Sequence, residues 1–408
     1  MKSLLQYIKE SYDDYLKLTP ELKEKLLDLD LEYGKIMLIA RYETVCRKIN
    51  NKDEAWEEFE EKHIKNGEKY FPVLKYDKLK WEEYNLEERV NELIYQFKQY
   101  RNPLSKYYVE NLEKVLAQID VLKHLDDDDY EISYDKKYAF DDKLLDEAFD
   151  IIRKTDSCKT PDDPMYKKNK SGKDVRPKIE KALKDFGFDW KVIVDNKMPP
   201  RMGVNPEKTF RIRETAKFSD VDVESLIAHE IKGHVQKRYN AYQTGLFLFV
   251  FGLSGKNIFD EGMAIWNTFN IIENQKPHAM FKIAMSYICS YYVSKYDFCD
   301  AFDRLKDLFA DKDISDKSIF VHMLREKRST IRTDRLGYWA GDIDYFRGYK
   351  MIDSMTTDER KRIMKWNIGP EQYYEMDKFE KFIEINNFEP ISNERLNKIK
   401  KDYKDLPK

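Results

Sequence analysis

The sequence is poor in the features that would place it outside an ordinary water-facing protein. Its four cysteines, Cys46, Cys158, Cys289 and Cys299, lie far apart with no Cys-x-x-Cys spacing, which argues against a disulfide framework or a thiolate-bound metal. The longest apolar run, Leu246 to Leu253, is eight residues, whereas a helix needs about 20 to cross a bilayer. The opening Met1-Lys2-Ser3-Leu4-Leu5 soon turns polar, without the apolar stretch of a secretory leader. No charge of one sign dominates: 73 Lys and Arg face 76 Asp and Glu, a formal net charge of -3 that gives no general pull toward nucleic acid or anionic membrane. With 41% hydrophobic and 37% charged residues, the 408-residue chain is expected to be a cytoplasmic protein with reduced thiols and one large or two smaller cores. Neither nucleic acid nor membrane is an expected partner, and the oligomeric state is left open.

Helical periodicity dominates what is present. Apolar residues recur at three-and-four spacing over 3–30, 36–66, 82–101 and 103–122, as in Leu93, Ile94, Phe97 and Tyr100, and predict an amphipathic helical layer interrupted by an extended Tyr70-Phe71-Pro72-Val73. The Asp126–Asp129 run lacks the alternating oxygens and glycine turn of a calcium loop and reads as solvated. A helix is expected over 141–154, then a mobile surface loop over Thr155–Arg176, then a short helix from Pro177 to Gly187. Trp190–Val194 and Thr209–Arg213 read as strands, with a hairpin over 201–213 turning at Asn205-Pro206-Glu207. Helices are predicted over 261–273, 277–296, 298–312 and 317–326, Tyr287, Tyr291, Tyr292 and Tyr296 of the second being core, and charged helices fill 357–408.

Two of the six histidines fall in one hexapeptide, His229-Glu230-Ile231-Lys232-Gly233-His234, and 27 positions later Phe259-Asp260-Glu261-Gly262-Met263-Ala264 opens another helical stretch. Two imidazoles and one carboxylate are the set that holds zinc while leaving a fourth position for water. His229, His234 and Glu261 are therefore the expected ligands of one Zn2+ per chain, and Glu230 the general base. Histidines five apart stand about 140° apart around a regular α-helix. A π-type turn would bring them within about 50°, and Gly233 makes that distortion easy. The helix carrying them should start at Ser219 or Asp220.

These blocks resemble zinc peptidases that include the microtubule-associated tyrosine carboxypeptidases, whose bacterial relatives are called QEGLP-motif or flavohaemoglobin expression-modulating proteins. Such families carry His-Glu-Ile-x-x-His and then a Glu-Gly-Leu-Ala-type segment, matched by His229, Glu230, Ile231 and His234 and by Glu261, Gly262, Met263 and Ala264. A third block, Lys327-Arg328, Gly337, Asp342, Tyr345 and Gly348, follows the family's order, and the resemblance covers about 60 to 355. Ser329 replaces the glycine after the arginine, and Gly341 the lysine of a Lys-Asp pair, so one cation of that block is missing.

The fold expected is α+β and mostly helical, with a helical N-terminal layer over 1–130, a zincin-like metallopeptidase core with a small sheet beside the metal helix over 131–355, and a helical extension over 356–408. Tyr345 is the expected donor to the oxyanion, since a phenol donates without adding a full charge. Arg328, with Lys327, is expected to hold a substrate α-carboxylate, amid a basic stretch that also holds Arg325, Arg332 and Arg335. Arg201 to Val204, including Gly203, is the expected edge strand for substrate addition. The resemblance implies removal of a C-terminal tyrosine or other aromatic residue from a protein tail such as the acidic tail of tubulin. An endo- or aminopeptidase, and a zinc-stabilised binding protein without turnover, stand as rival readings.

Overall fold

The computed structural model describes residues 16–41, 49–78, 81–100, 102–124, 140–155, 164–196, 200–271, 276–327, 333–334 and 340–401. The described N-terminal residues form α1 (Pro20–Ala40), α2 (Lys52–Phe59), α3 (Leu86–Gln99) and α4 (Ser105–Lys123). Thr19 caps α1 by accepting from Leu22 N, and α1 runs through the break expected at 31–35. Gly34 is helical, and its missing side chain makes room for Phe247 and Ile399, whose atoms would lie 2.9–3.0 Å from a Cβ there. After α5 (Asp142–Lys154) comes α6 (Gly172–Asp185), which starts five residues before the predicted Pro177, because Ser171 and Asp174 form a reciprocal capping box. Residues 164–176 of the expected loop are thus built into a short 3-10 turn at Pro164–Tyr166, a bridge between Lys170 and Phe218, and the start of α6.

Three strands form the sheet: β1 (Lys191–Asp195), β2 (Met202–Asn205) and β3 (Thr209–Arg213), in the order β1-β3-β2. β2 and β3 are the two arms of the expected hairpin, antiparallel with Asn205 opposite Thr209, and β1 lies parallel to β3. Next come α7 (Asp220–Leu226), a π-helix over Ile227–Val235, α8 (Gln236–Gln243), the short apolar α9 (Phe247–Phe251) and α10 (Lys256–Ile271). The rest is α11 (Lys276–Lys295), α12 (Phe298–Leu308), α13 (Asp316–Glu326), α14 (Ile343–Ser354), α15 (Thr357–Lys365), α16 (Met376–Asn386) and α17 (Asn393–Lys401). Tyr287 is buried, with Tyr291, Tyr292 and Tyr296 packed against the same core. Among the described residues no helix is long and apolar enough to cross a membrane.

Two apolar cores meet along α10. Phe259 and Met263 belong to the larger, which also holds α1, α3, α4, the sheet and α15–α17; Ile265 and Phe269 belong to the other, built from α2, α5, α11–α13 and most of α14, whose Ile352 reaches the larger core. Trp266 touches both. The larger core is tied by Asp30 on α1, whose Oδ1 accepts from Tyr108 Oη at 2.7 Å and Leu248 N at 3.1 Å, and whose Oδ2 accepts from Phe247 N at 2.9 Å and Arg395 at 2.7 Å. One buried carboxylate thus joins α1, α4, α17 and the first turn of α9.

Candidate metal centre

The helix that carries the two histidines starts at Ser219, whose hydroxyl accepts from Asp222 N while the Asp222 carboxylate accepts from Ser219 N, both at 3.0 Å. It turns from α to π at Ile227 and stays π to Val235. The wider turn puts the His229 and His234 rings 5.0 Å apart by centroid, inclined at 79°. Glu261 comes to them from α10, inside that helix rather than at its head. Its Oε2 is 3.6 Å from Nε2 of His229 and 3.6 Å from Nε2 of His234.

The small residues of the Glu-Gly-Met-Ala segment explain how α10 gets so close. A Cβ on Gly233 would sit 3.0 Å from Ala264 Cβ, so glycine on one helix and alanine on the other allow contact across the site. On the opposite side of α10, a Cβ on Gly262 would collide with the backbone of Gly348, and one on Gly348 with the carbonyl of Ile258. Three helices are therefore stacked nearly backbone to backbone, with Glu261 between the contact points.

Donor atoms from His229, His234 and Glu261 all lie within 4.8 Å of one another. In a tetrahedral zinc shell, donors about 2.1 Å from the ion stand about 3.4 Å apart. Oε2 of Glu261 is buried and has no hydrogen-bond partner. A buried oxygen left bare between two imidazole nitrogens is what a cation site requires and what a structural contact would avoid. Burial alone would raise the Glu261 carboxyl, but the charges of His234 and His229 hold it down at about 2. The residues present fit a zinc ion. Glu230 is buried one residue beyond His229, and on the π-helix it falls within about 35° of His234 around the axis.

Two carboxylates at this site had not been singled out in the sequence. Asp260 Oδ1 lies 3.1 Å from His234 Nδ1. A ligand histidine commonly gives its second ring N–H to a carboxylate, and an aspartate beside the ligand glutamate is a signal that could have found it. Asp344, at the start of α14, is buried with Oδ1 unpartnered, and burial together with the negative charge of Glu261 pushes it up to about 7. Nothing local in the sequence marks Asp344, because its burial depends on α14 crossing α10.

The expected substrate residues are placed unevenly. Tyr345 is half-buried on α14, three residues before the Gly348 contact and near the charge of Arg325. Arg325 is engaged by Asp342 at 2.8 Å, so part of the expected basic patch is neutralised. Lys327 is fully buried beside the Asp334 and Asp297 charges, and burial lowers it to about 8. Arg328, Arg332 and Arg335 lie outside the described residues.

Arg201 reaches Asp222 at 2.9 Å and stacks over the Phe218 ring at 5.3 Å, bracing the sheet to α7. β2 is an edge strand among the described residues, but Gly203 does not offer its main chain outward. Arg213 N donates to Arg201 O at 2.9 Å, and main-chain groups alternate along an antiparallel pair. Arg201, Gly203 and Asn205 therefore face β3, and Met202 and Val204 turn their N–H and C=O groups to the open edge.

No curated protein matches the chain. The model of the microtubule-associated tyrosine carboxypeptidase family matches residues 57–367, which contain the π-helix, the edge strand, α10 and α14, and the chain belongs to that family.

Proposed function

We propose that this chain is a zinc-dependent carboxypeptidase with a zincin-like core, which removes a C-terminal tyrosine or similar aromatic residue from a cytoplasmic protein tail, the acidic tail of tubulin being the first candidate. The observation that carries this reading is the bare Glu261 Oε2, 3.6 Å from both imidazole nitrogens, in a chain of a tyrosine carboxypeptidase family.

A zinc ion held by His229, His234 and Glu261 would make a water nucleophilic near neutral pH and polarise the scissile carbonyl. Glu230 takes the proton of that water and returns it to the leaving amine, a role that suits its place one residue past a ligand. Tyr345 donates from its phenol to the oxygen on which charge develops. The open edge of β2 pairs with the main chain of the tail through Met202 and Val204 and lays it along the metal helix. Arg328 takes the free α-carboxylate through paired N–H donors. Gly341 supplies no charge where relatives have lysine, and Arg325 is held by Asp342, so discrimination at the carboxylate is weaker here than in relatives.

Mass spectrometry of paired peptides tests the proposal. With zinc-loaded protein, acidic peptides ending in free tyrosine should lose that residue, the same peptides amidated at the C-terminus should stay intact, and blocking the N-terminus should change nothing. Equal cleavage of the acid and the amide would replace the carboxypeptidase reading by an endopeptidase one.

A further inference from the structure

The two histidines of the metal centre are not held alike. His234 has Nδ1 3.1 Å from Asp260 Oδ1 and Nε2 3.6 Å from Glu261 Oε2. For His229, only the Nε2 approach to Glu261 at 3.6 Å is present among the described residues. An ionised carboxylate only accepts, so the ring nitrogen facing Asp260 must carry the hydrogen. In the neutral ring that zinc requires, that fixes one tautomer, with the lone pair of Nε2 turned toward Glu261 and His229.

Asp260 is itself clamped by charge. Lys237 Nζ stands 4.0 Å from Oδ1 and Lys256 Nζ 4.0 Å from Oδ2. Lys237, three residues after His234, is almost wholly buried and its ammonium makes no hydrogen bond. An ammonium without hydrogen bonds is costly in a core. Here the negative charge nearest to it is Asp260, so Lys237 and Lys256 hold from either side the carboxylate that holds His234.

The geometry points to Asp260 as a positioning residue: it fixes the tautomer and ring plane of His234, with Lys237 and Lys256 as its counter-charges, so that one ligand of the zinc site is preset and the other adapts. This rests on the zinc reading above. Asp260 touches neither substrate nor the reacting atoms.

The experiment measures zinc affinity of the full chain by competition with a chromophoric chelator and records the visible spectrum of the cobalt-substituted protein, for wild type, Asp260→Asn, Asp260→Ala and Lys237→Met. Circular dichroism checks that each variant is folded. Zinc affinity should fall about 10–100-fold in Asp260→Asn, at least as far in Asp260→Ala, and less in Lys237→Met. Both Asp260 variants should shift the cobalt bands, which a change in fold stability alone would not do. Wild type that binds zinc, beside folded Asp260 variants of equal affinity and unchanged cobalt spectrum, would overturn the positioning role and leave the zinc reading intact. Wild type that takes up no metal would overturn both. Should Asp260→Ala fail to fold, the isosteric Asp260→Asn decides.

Discussion

Asp30 and Glu261 show what a buried carboxylate oxygen means when its partners differ. Asp30 accepts from four donors, two on each oxygen, drawn from α4, α9 and α17. It has no capacity left for a ligand, and its work is to hold the start of α9 together with α1, α4 and α17. Glu261 places one buried oxygen between two imidazoles and gives it no hydrogen bond. A saturated carboxylate suits a structural tie, whereas a bare oxygen between two imidazole nitrogens suits a cation, a distinction that hydrophobicity and burial alone do not make.

The sharpest way to break this contrast is at the chemistry. Glu230→Gln should bind zinc with wild-type stoichiometry yet lose about 10²–10⁴-fold in kcat, since the amide fills the same space but cannot take a proton. His229→Ala and Glu261→Ala should lose zinc and turnover together. Elemental analysis beside a peptide assay separates the two classes, and normal turnover in Glu230→Gln would remove that residue as base.

Asp30→Ala should act on the opposite ledger. Removing a buried carboxylate that pairs with Arg395 and satisfies two backbone N–H groups should cost about 3–5 kcal/mol of stability in denaturant titrations. The folded fraction should keep its zinc and its kcat. A variant with wild-type stability would show that Asp30 is not the structural member of the pair.

Gly348→Ala probes the packing between these extremes. Its Cβ would collide with the carbonyl of Ile258 on α10, so either α14 must move away or the variant loses about 1–3 kcal/mol to overpacking. Turnover should fall more than zinc content, because α14 carries Tyr345 while His229, His234 and Glu261 lie elsewhere. Unchanged stability and turnover would mean that the tight crossing is not what positions Tyr345.

How much of this was legible in the sequence follows from whether a signal was local. The five-residue histidine spacing demanded a π turn, and the helix is π over Ile227–Val235. The cap at Ser219 and the hairpin over 201–213 were likewise visible in short stretches. What was misread depended on distant neighbours. The helix runs unbroken through 31–35, where Gly34 accommodates Phe247 and Ile399. Gly203 looked like the residue facing substrate until the Arg213 to Arg201 bond set the phase of the edge. Asp260 is adjacent to Glu261 in the chain, yet its pairing with His234 needs the close approach that Gly233 and Ala264 permit.

The smallest expected effect gives the finest test of the comparison, because it asks whether the two carboxylates are independent. Zinc that binds only the folded chain stabilises it by about 2.7 kcal/mol at a free concentration of 100 times Kd. Wild type and Asp30→Ala should show the same increment to within about 0.5 kcal/mol, as expected of separate sites, and Glu261→Ala should show none. The increment should also shrink as pH falls. Burial alone would lower the pKa of His234, but the Asp260 and Glu261 charges more than reverse this and raise it well above the ordinary value. In the metal-free chain, the stability from that protonated cluster is present below the ordinary histidine pKa and fades as pH rises through the raised one. Zinc needs the ring unprotonated, so the proton and the metal compete for His234 and lower pH favours the proton. Thermal melts with and without zinc across pH 5.5 to 8, read for all three proteins, would give the increments. If Asp30→Ala lost its zinc response together with its stability, the two carboxylates would belong to one cooperative network, and the division between a saturated structural group and a proposed metal ligand would fail.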